Sequence, residues 1–192
     1  MSASLTDVPA EFLEAVRSLR ATRLRPEIRL EEVPGPGRIA PYSAALTGDV
    51  SASHAPDQDD LASGRFVVLH DPAGQEAWEG TFRVVTFARA TLEAELGSDG
   101  LLAQVAWTWF EEALAGAGVL PIAAGGTVTR VLSESFGTLG ARPDEVEVEI
   151  RASWTAPGPD LGPHLRAWAT LLCTSAGLPP LPDGVTSLGA RH

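Results

Sequence analysis

The chain has no lysine and no asparagine in 192 residues, and only one cysteine. All 14 positions counted as Lys or Arg are therefore arginine. Without lysine there is no Schiff-base amine, no lysine general base and no phosphate loop of the kind that needs a lysine to reach its phosphates. Lysine and asparagine both use AT-rich codons, so part of this pattern is the coding bias of a GC-rich genome. The single Cys173 excludes an internal disulfide and any cysteine-based zinc site. It also predicts a reducing compartment. Apolar stretches are broken by charge well before the ~20 residues of a membrane helix. Residues 1–8 lack the basic start and apolar run of a signal peptide. A cytoplasmic protein without a membrane span is expected.

What is present is an acidic, moderately apolar chain. Hydrophobic residues make up 44% and the net charge is −11, from 25 acids against 14 bases. A chain of this length buries roughly 70% of its unfolded surface, enough for one self-sufficient core. One domain over residues 1–192 is expected, with 1–8 and 186–192 frayed and 51–64 a mobile acidic loop. An acidic body repels phosphate backbones and anionic membranes, which argues against general nucleic-acid or membrane-surface binding. The charge is uneven, however. Residues 1–40 carry six arginines against six acids, while 41–64 carry Asp49, Asp57, Asp59 and Asp60 and no base.

Periodicity predicts the elements. Phe12, Val16 and Leu19 recur at helical spacing over residues 9–22, with Thr6 or Asp7 placed to cap and Pro9 in the first turn. A strand is expected at 27–33, a Pro-Gly turn at 34–37 and a strand at 42–50 with Tyr42, Ala44, Leu46, Gly48 and Val50 on one face. The apolar run 66–69 reads as a central strand, turning at Asp71-Pro72-Ala73-Gly74 and returning over 80–87 as a hairpin. Helices are expected at 89–96 and 99–115, the second largely buried, with Ser98 or Asp99 as its cap. Strands follow at 127–132 and 145–154. In the latter Val146, Val148, Ile150, Ala152 and Trp154 alternate with Glu145, Glu147, Glu149 and Arg151. A last helix spans 163–175, with Leu161, Leu165, Trp168 and Leu172 on one stripe, before the tail Leu178-Pro179-Pro180-Leu181-Pro182. Strands run in groups rather than alternating with helices. The expected fold is therefore α+β, ordered α-ββββ-αα-ββ-α, with five or six mainly antiparallel strands.

No catalytic spacing stands out. His54, His70, His164 and His192 include no i, i+4 pair that would put two metal ligands on one helix face. His70 ends a strand beside Asp71 and could be a base oriented by a carboxylate; the plainer reading is a strand-end histidine bonded near a turn. His164 reads as a surface residue. Counting an EF-hand from Asp57 puts Ala62 and Val68 where a glycine and an acid are required, so the acidic loop fails that test. There is no Gly-x-Ser-x-Gly elbow; Ser133-Glu134-Ser135 would need a distant histidine. Gly116, Gly118, Gly125 and Gly126 do not spell a dinucleotide fingerprint. Cys173 reads as a small buried hydrophobe. Neither a metal nor a cofactor is expected.

The arginines between 17 and 38 either pair with neighbouring glutamates or grip an anionic ligand. Most tryptophans sit on apolar stripes. Trp78, between Glu76 and Glu79, is the exception and reads as a contact residue. The proline tail could dock in an aromatic groove or pack on its own domain.

Several strings resemble one family. They include Arg25-Pro26, Leu30-Glu31-Glu32-Val33-Pro34, Arg38-Ile39-Ala40-Pro41, Leu69-His70-Asp71-Pro72, and Trp78-Glu79-Gly80-Thr81-Phe82-Arg83-Val84. Gly125-Gly126-Thr127-Val128-Thr129, Ser133-Glu134-Ser135-Phe136-Gly137 and Glu149-Ile150-Arg151-Ala152-Ser153-Trp154 extend the likeness from about residue 8 to 185. Together they resemble the domain of unknown function 3000 family of high-GC Gram-positive bacteria. The resemblance implies a stand-alone cytosolic protein without an assigned activity, so it brings no catalytic residues. Its gene neighbours, uroporphyrinogen decarboxylase and a ribonuclease D-like exonuclease, imply a setting in haem or RNA metabolism. The element order also resembles the small acidic secretion-chaperone fold, a likeness of fold alone.

Two functions follow as expectations. The first is a non-enzymatic acidic module that binds a protein partner or a second copy through Arg25, Arg38, Trp78 and Arg83. The alternative is a binder of, or enzyme on, a carboxylate-rich small molecule of tetrapyrrole type. It would use an Arg25/Arg38 pocket with His70 and Asp71 nearby. RNA binding is disfavoured by charge.

Overall fold

Alternation along the strands and stripes along the helices give a six-stranded open antiparallel sheet with helices on one face. The computed structural model describes residues 8–51 and 60–180. Helix α1 (Ala10–Ala21) precedes β1 (Ile28–Val33), β2 (Tyr42–Val50), β3 (Ala62–Gln75) and β4 (Gly80–Leu92). A 3-10 segment (Ala94–Ser98) and α2 (Leu102–Gly116) lead to β5 (Ile122–Ser133), β6 (Glu145–Ala156) and α3 (Gly162–Ser175). The strand order is β1-β2-β3-β4-β6-β5, all neighbours antiparallel. The α+β class and the order α-ββββ-αα-ββ-α hold, with the 3-10 segment in the place of the first central helix. Thr6, Asp7, most of the acidic loop and Leu181-Pro182 lie outside the described residues.

The core forms where alternate strand residues meet the helix stripes. Phe66 and Val68 of β3, Phe82 and Val84 of β4, and Val148, Ile150 and Trp154 of β6 pack against Phe12, Phe110, Leu165, Trp168 and Leu172. Gly48 and Gly64 pair across β2 and β3 and form the slot for the Trp168 ring. A Cβ on Gly64 would stand 2.4 Å from the Phe87 carbonyl oxygen and 2.9 Å from both Trp168 and Leu172. That carbonyl accepts the Trp168 indole N–H at 3.0 Å.

Four expectations are corrected. Residues 89–92 continue β4, with Arg89 opposite Glu149 and Leu92 opposite Val146. Arg-Ala-Thr-Leu favours a helix locally, but a complete ladder against β6 and the burial of Ala88 and Ala90 override it. β3 starts at Ala62 and runs past Asp71-Pro72-Ala73-Gly74 to Gln75. That tetrapeptide is a register shift inside the hairpin, and the reversal comes at Glu76–Trp78, where Glu79 takes a left-handed φ of 56°. α2 buries Leu102, Ala106, Phe110, Ala113 and Leu114 but leaves Leu101 and Val105 exposed. His164 is buried because the first turn of α3 lies over β6: the Trp154 indole N–H donates to its Nδ1 at 2.8 Å. Burial pushes its pKa down to about 4, against the weaker opposing pull of Asp160.

Candidate binding site on the open sheet face

The strand residues that point away from the helices form the second face of the sheet. Strand register sets them in rows. One row is Thr47, Arg65, Phe87, Arg151 and Thr127; the next is Ala45, Val67, Val85, Ser153 and Gly125. A third is Ser43, Leu69, Arg83, Thr155 and Ile122. The link over residues 34–41 crosses the β2–β3 part of this face. The Ser43 hydroxyl donates to the Pro36 carbonyl and Arg65 donates to the Pro34 carbonyl at 2.9 Å. Ala45 and Leu69 are buried there. Towards β4, β6 and β5 no helix among the described residues covers the face. A depression of about 620 Å³ remains, bordered by Arg65, Val67, Val85, Phe87, Thr127 and Arg151.

The electrostatics of this face differ from those of the whole chain. The Arg151 guanidinium lies 5.2 Å from the centre of the Phe87 ring, within cation–π range, and pairs with Glu149 at 2.8 Å. Arg89 pairs with Glu147. Arg83 donates to the Ala123 carbonyl at 2.9 Å and to the Thr155 and Ser153 hydroxyls at 3.1 and 2.8 Å. All three acceptors are neutral, and burial lowers its pKa from the usual arginine value. Among the described residues, neither Arg65 nor Arg83 has a carboxylate partner. The face thus holds two positive charges that the fold does not neutralise, beside an aromatic ring and two valines. This arrangement accepts carboxylates by paired N–H donation while offering apolar contact.

The other residues singled out from sequence are dispersed. Arg25 is spent inside the chain, on Glu27 at 3.0 Å and the Pro179 carbonyl at 2.8 Å, so the start of the proline tail packs on its own protein. Arg38 is exposed on the 34–41 link. Arg25 and Arg38 flank opposite ends of β1, and the cavity of about 360 Å³ beside Arg25 is lined by neither Arg38 nor His70. His70 is fully buried between Phe82 and Phe12 rather than poised as a base. Its Nδ1–H donates to the Thr81 carbonyl at 3.1 Å, and Nε2 has no partner among the described residues. Asp71 accepts from the Ala73 backbone N–H and the Gln75 side chain, so it does not orient His70. Trp78 is only 8% exposed, not on the outside as its charged neighbours suggest; its carbonyl accepts the Thr155 hydroxyl. Ser133 lies at the Glu145 end of β6, whereas His70 aligns through Phe82 with Ala156 at the other end, so no triad forms between them. Cys173 is buried, and burial pushes its thiol pKa up to about 11.

Sequence reasoning names Arg83 but misses Arg65, Arg89 and Arg151 as its neighbours. The available signal is alternation: Arg65-x-Val67 and Arg83-x-Val85-x-Phe87-x-Arg89 occupy the positions opposite the core residues. Among the described residues no group of three or more His, Cys, Asp or Glu side chains converges as a metal site, and no helix is long and apolar enough to cross a membrane. No curated protein and no solved structure matches the chain. A family model does match over residues 8–186, nearly the whole length, and the chain belongs to that family, described as a protein of unknown function, DUF3000.

Proposed function

We propose that the protein is a non-enzymatic binding module whose open sheet face takes an acidic segment of a protein partner. One observation carries this reading. In a chain of net charge −11, Arg65 and Arg83 stand on the uncovered face without a carboxylate partner. A partner's Asp or Glu side chains would complete them, and its apolar residues would cover Val67, Val85 and Phe87. The flat, open shape suits an extended segment better than a ligand that must be enclosed. A cytosolic setting belongs to the same proposal, since a lone thiol suits a reducing compartment.

A second reading is a carboxylate-rich small molecule of tetrapyrrole type in the depression beside Arg65 and Arg151. The depression of about 620 Å³ has room for one.

Titration against labelled acidic peptides and against a porphyrin carboxylate separates the two. The wild type is expected to bind the peptides, and Arg65→Glu/Arg83→Glu to lose about tenfold or more in affinity, the scale of a charge-assisted pair, with an unchanged circular dichroism spectrum. Porphyrin binding alone, lost in the same variant, would favour the second reading. Binding of either ligand that survives charge reversal removes this face from the function.

A further inference from the structure

Among the described residues β5 is the last strand of the sheet and is hydrogen-bonded to β6 alone. The two sheet edges are protected very differently. β1, the opposite edge, is six residues long, carries Arg29, Glu31 and Glu32 and ends just before Pro34. Short length, charge and a following proline are the usual means of keeping an edge from pairing. β5 is twelve residues long, with no acid, no proline and one charge, Arg130. Its residues 124–133, apart from the half-buried Val128, lie exposed along an unpaired ladder. Such an edge presents a row of free backbone donors and acceptors that an extended strand satisfies.

The surroundings of β5 are apolar as well. Seven of the eleven large exposed hydrophobic side chains among the described residues cluster on or next to it. Val131 and Leu132 lie on the strand, and Phe136, 76% exposed, and Leu139 lie on the link that leaves it. Leu96, Leu101 and Val105 lie on the segments packed beside it, which the Arg130 bond to the Asp99 carbonyl ties to the strand. Isolated exposed hydrophobics are ordinary, whereas a cluster of them bordering a free edge marks an interface.

We infer that β5 pairs antiparallel with β5 of a second copy, joining two six-stranded sheets into one. The occupant is a second copy for two physical reasons. An antiparallel strand pair closes on itself by a two-fold axis, so each edge supplies what the other lacks. Two bodies of net charge −11 repel, and β5 is a long strand without a carboxylate to oppose the approach. A two-fold axis through the sheet near Thr129, the middle of the regular ladder Gly125–Ser133, keeps both helix layers on one side. The Leu101 and Val105 surfaces of the two copies then approach across the axis, and the two open arginine faces lie side by side.

The test is the mass in solution, which does not depend on any other partner. Sedimentation equilibrium of the full chain is expected to give twice the chain mass of 20.1 kDa. Thr129→Lys/Val131→Lys should convert it to the monomer. Each new lysine faces its own Glu149 or Glu147 across to β6, so the fold is kept, while four cations gather at the axis. Arg29→Glu on the opposite edge should leave the dimer intact. Thr129→Cys should cross-link two copies under mild oxidation, because Cys173 is buried and does not compete. Should the lysine variant be poorly folded, the cysteine variant decides alone. A wild-type monomer at high micromolar concentration, a dimer that survives the folded lysine variant, or no cross-link in the Thr129→Cys variant overturns the inference.

Discussion

The two faces of this sheet are made from alternate residues of the same strands, yet they hold opposite chemistry. On the helix side, β6 contributes Val146, Val148, Ile150, Ala152 and Trp154, all buried. On the open side the same strand contributes Glu147, Glu149, Arg151 and Ser153, and its neighbours add Arg65, Arg83 and Arg89. The polar groups of the helix side are few, and several are matched in pairs: Trp154 with His164, Trp168 with the Phe87 carbonyl, Thr86 with the Ala152 carbonyl. On the open side the charged groups outnumber their local partners. The difference teaches that stability is concentrated on one face, and that the other is free to carry charge the fold itself does not need.

Trp154→Ala should give the largest break in that comparison. It removes a side chain 1% exposed and leaves the buried His164 Nδ1 without its donor. Loss of about 4 kcal/mol is expected in urea unfolding, against less than ~1 kcal/mol for the solvent-facing Arg151→Ala on the same strand. Similar losses at the two sites would show that the faces are not divided in this way.

Acidification comes next. The His164 pKa is held down to about 4 in the folded protein, below the ordinary value near 6.5. The unfolded chain therefore binds the proton first, so the stabilisation is complete above about pH 6.5 and is lost as pH falls towards 4. The decline should be on the order of 3 kcal/mol and should level off below that range. In His164→Gln the decline should be absent or much reduced. An unchanged pH profile in that variant would show that another group is responsible.

Gly64→Ala should act through sterics alone. The new Cβ would press on the Phe87 carbonyl and on both sides of the Trp168 slot. A loss of about 2 kcal/mol is expected, read as a lower melting temperature, with the bands of Trp168 altered in near-ultraviolet circular dichroism. Gly125→Ala, whose Cβ would meet nothing within 4 Å on the open side, should be close to neutral. Equal effects at the two glycines would contradict the close approach at Gly64.

Much of the fold is legible in the chain alone. The β6 alternation, the bounds of β2 and the stripe of α3 follow from one-dimensional periodicity, because each face of a strand or helix meets either water or core. The misreadings share a cause. Residues 89–92 have local preferences for helix, and only the distant ladder with β6 holds them extended. His164 looks like a surface residue until Trp154 bonds it. The charged neighbours of Trp78 suggest an outside position, though its own ring turns inward. The candidate site is legible only in fragments. Arg83 is recognisable, but Arg65 and Arg151 are 86 residues apart in the chain and share a row only because both strands flank β4.

The sequence by itself determined the α+β class, the order of elements, the acidic balance and which strand residues face inward. These depend on local spacing and on the simple preference of apolar groups to leave water. Only the tertiary structure decided which strands are neighbours, which face stays uncovered, which edge stays free and which arginines meet. Such facts rest on pairings between distant segments, where ladder register and packing choose among arrangements that the local pattern permits equally.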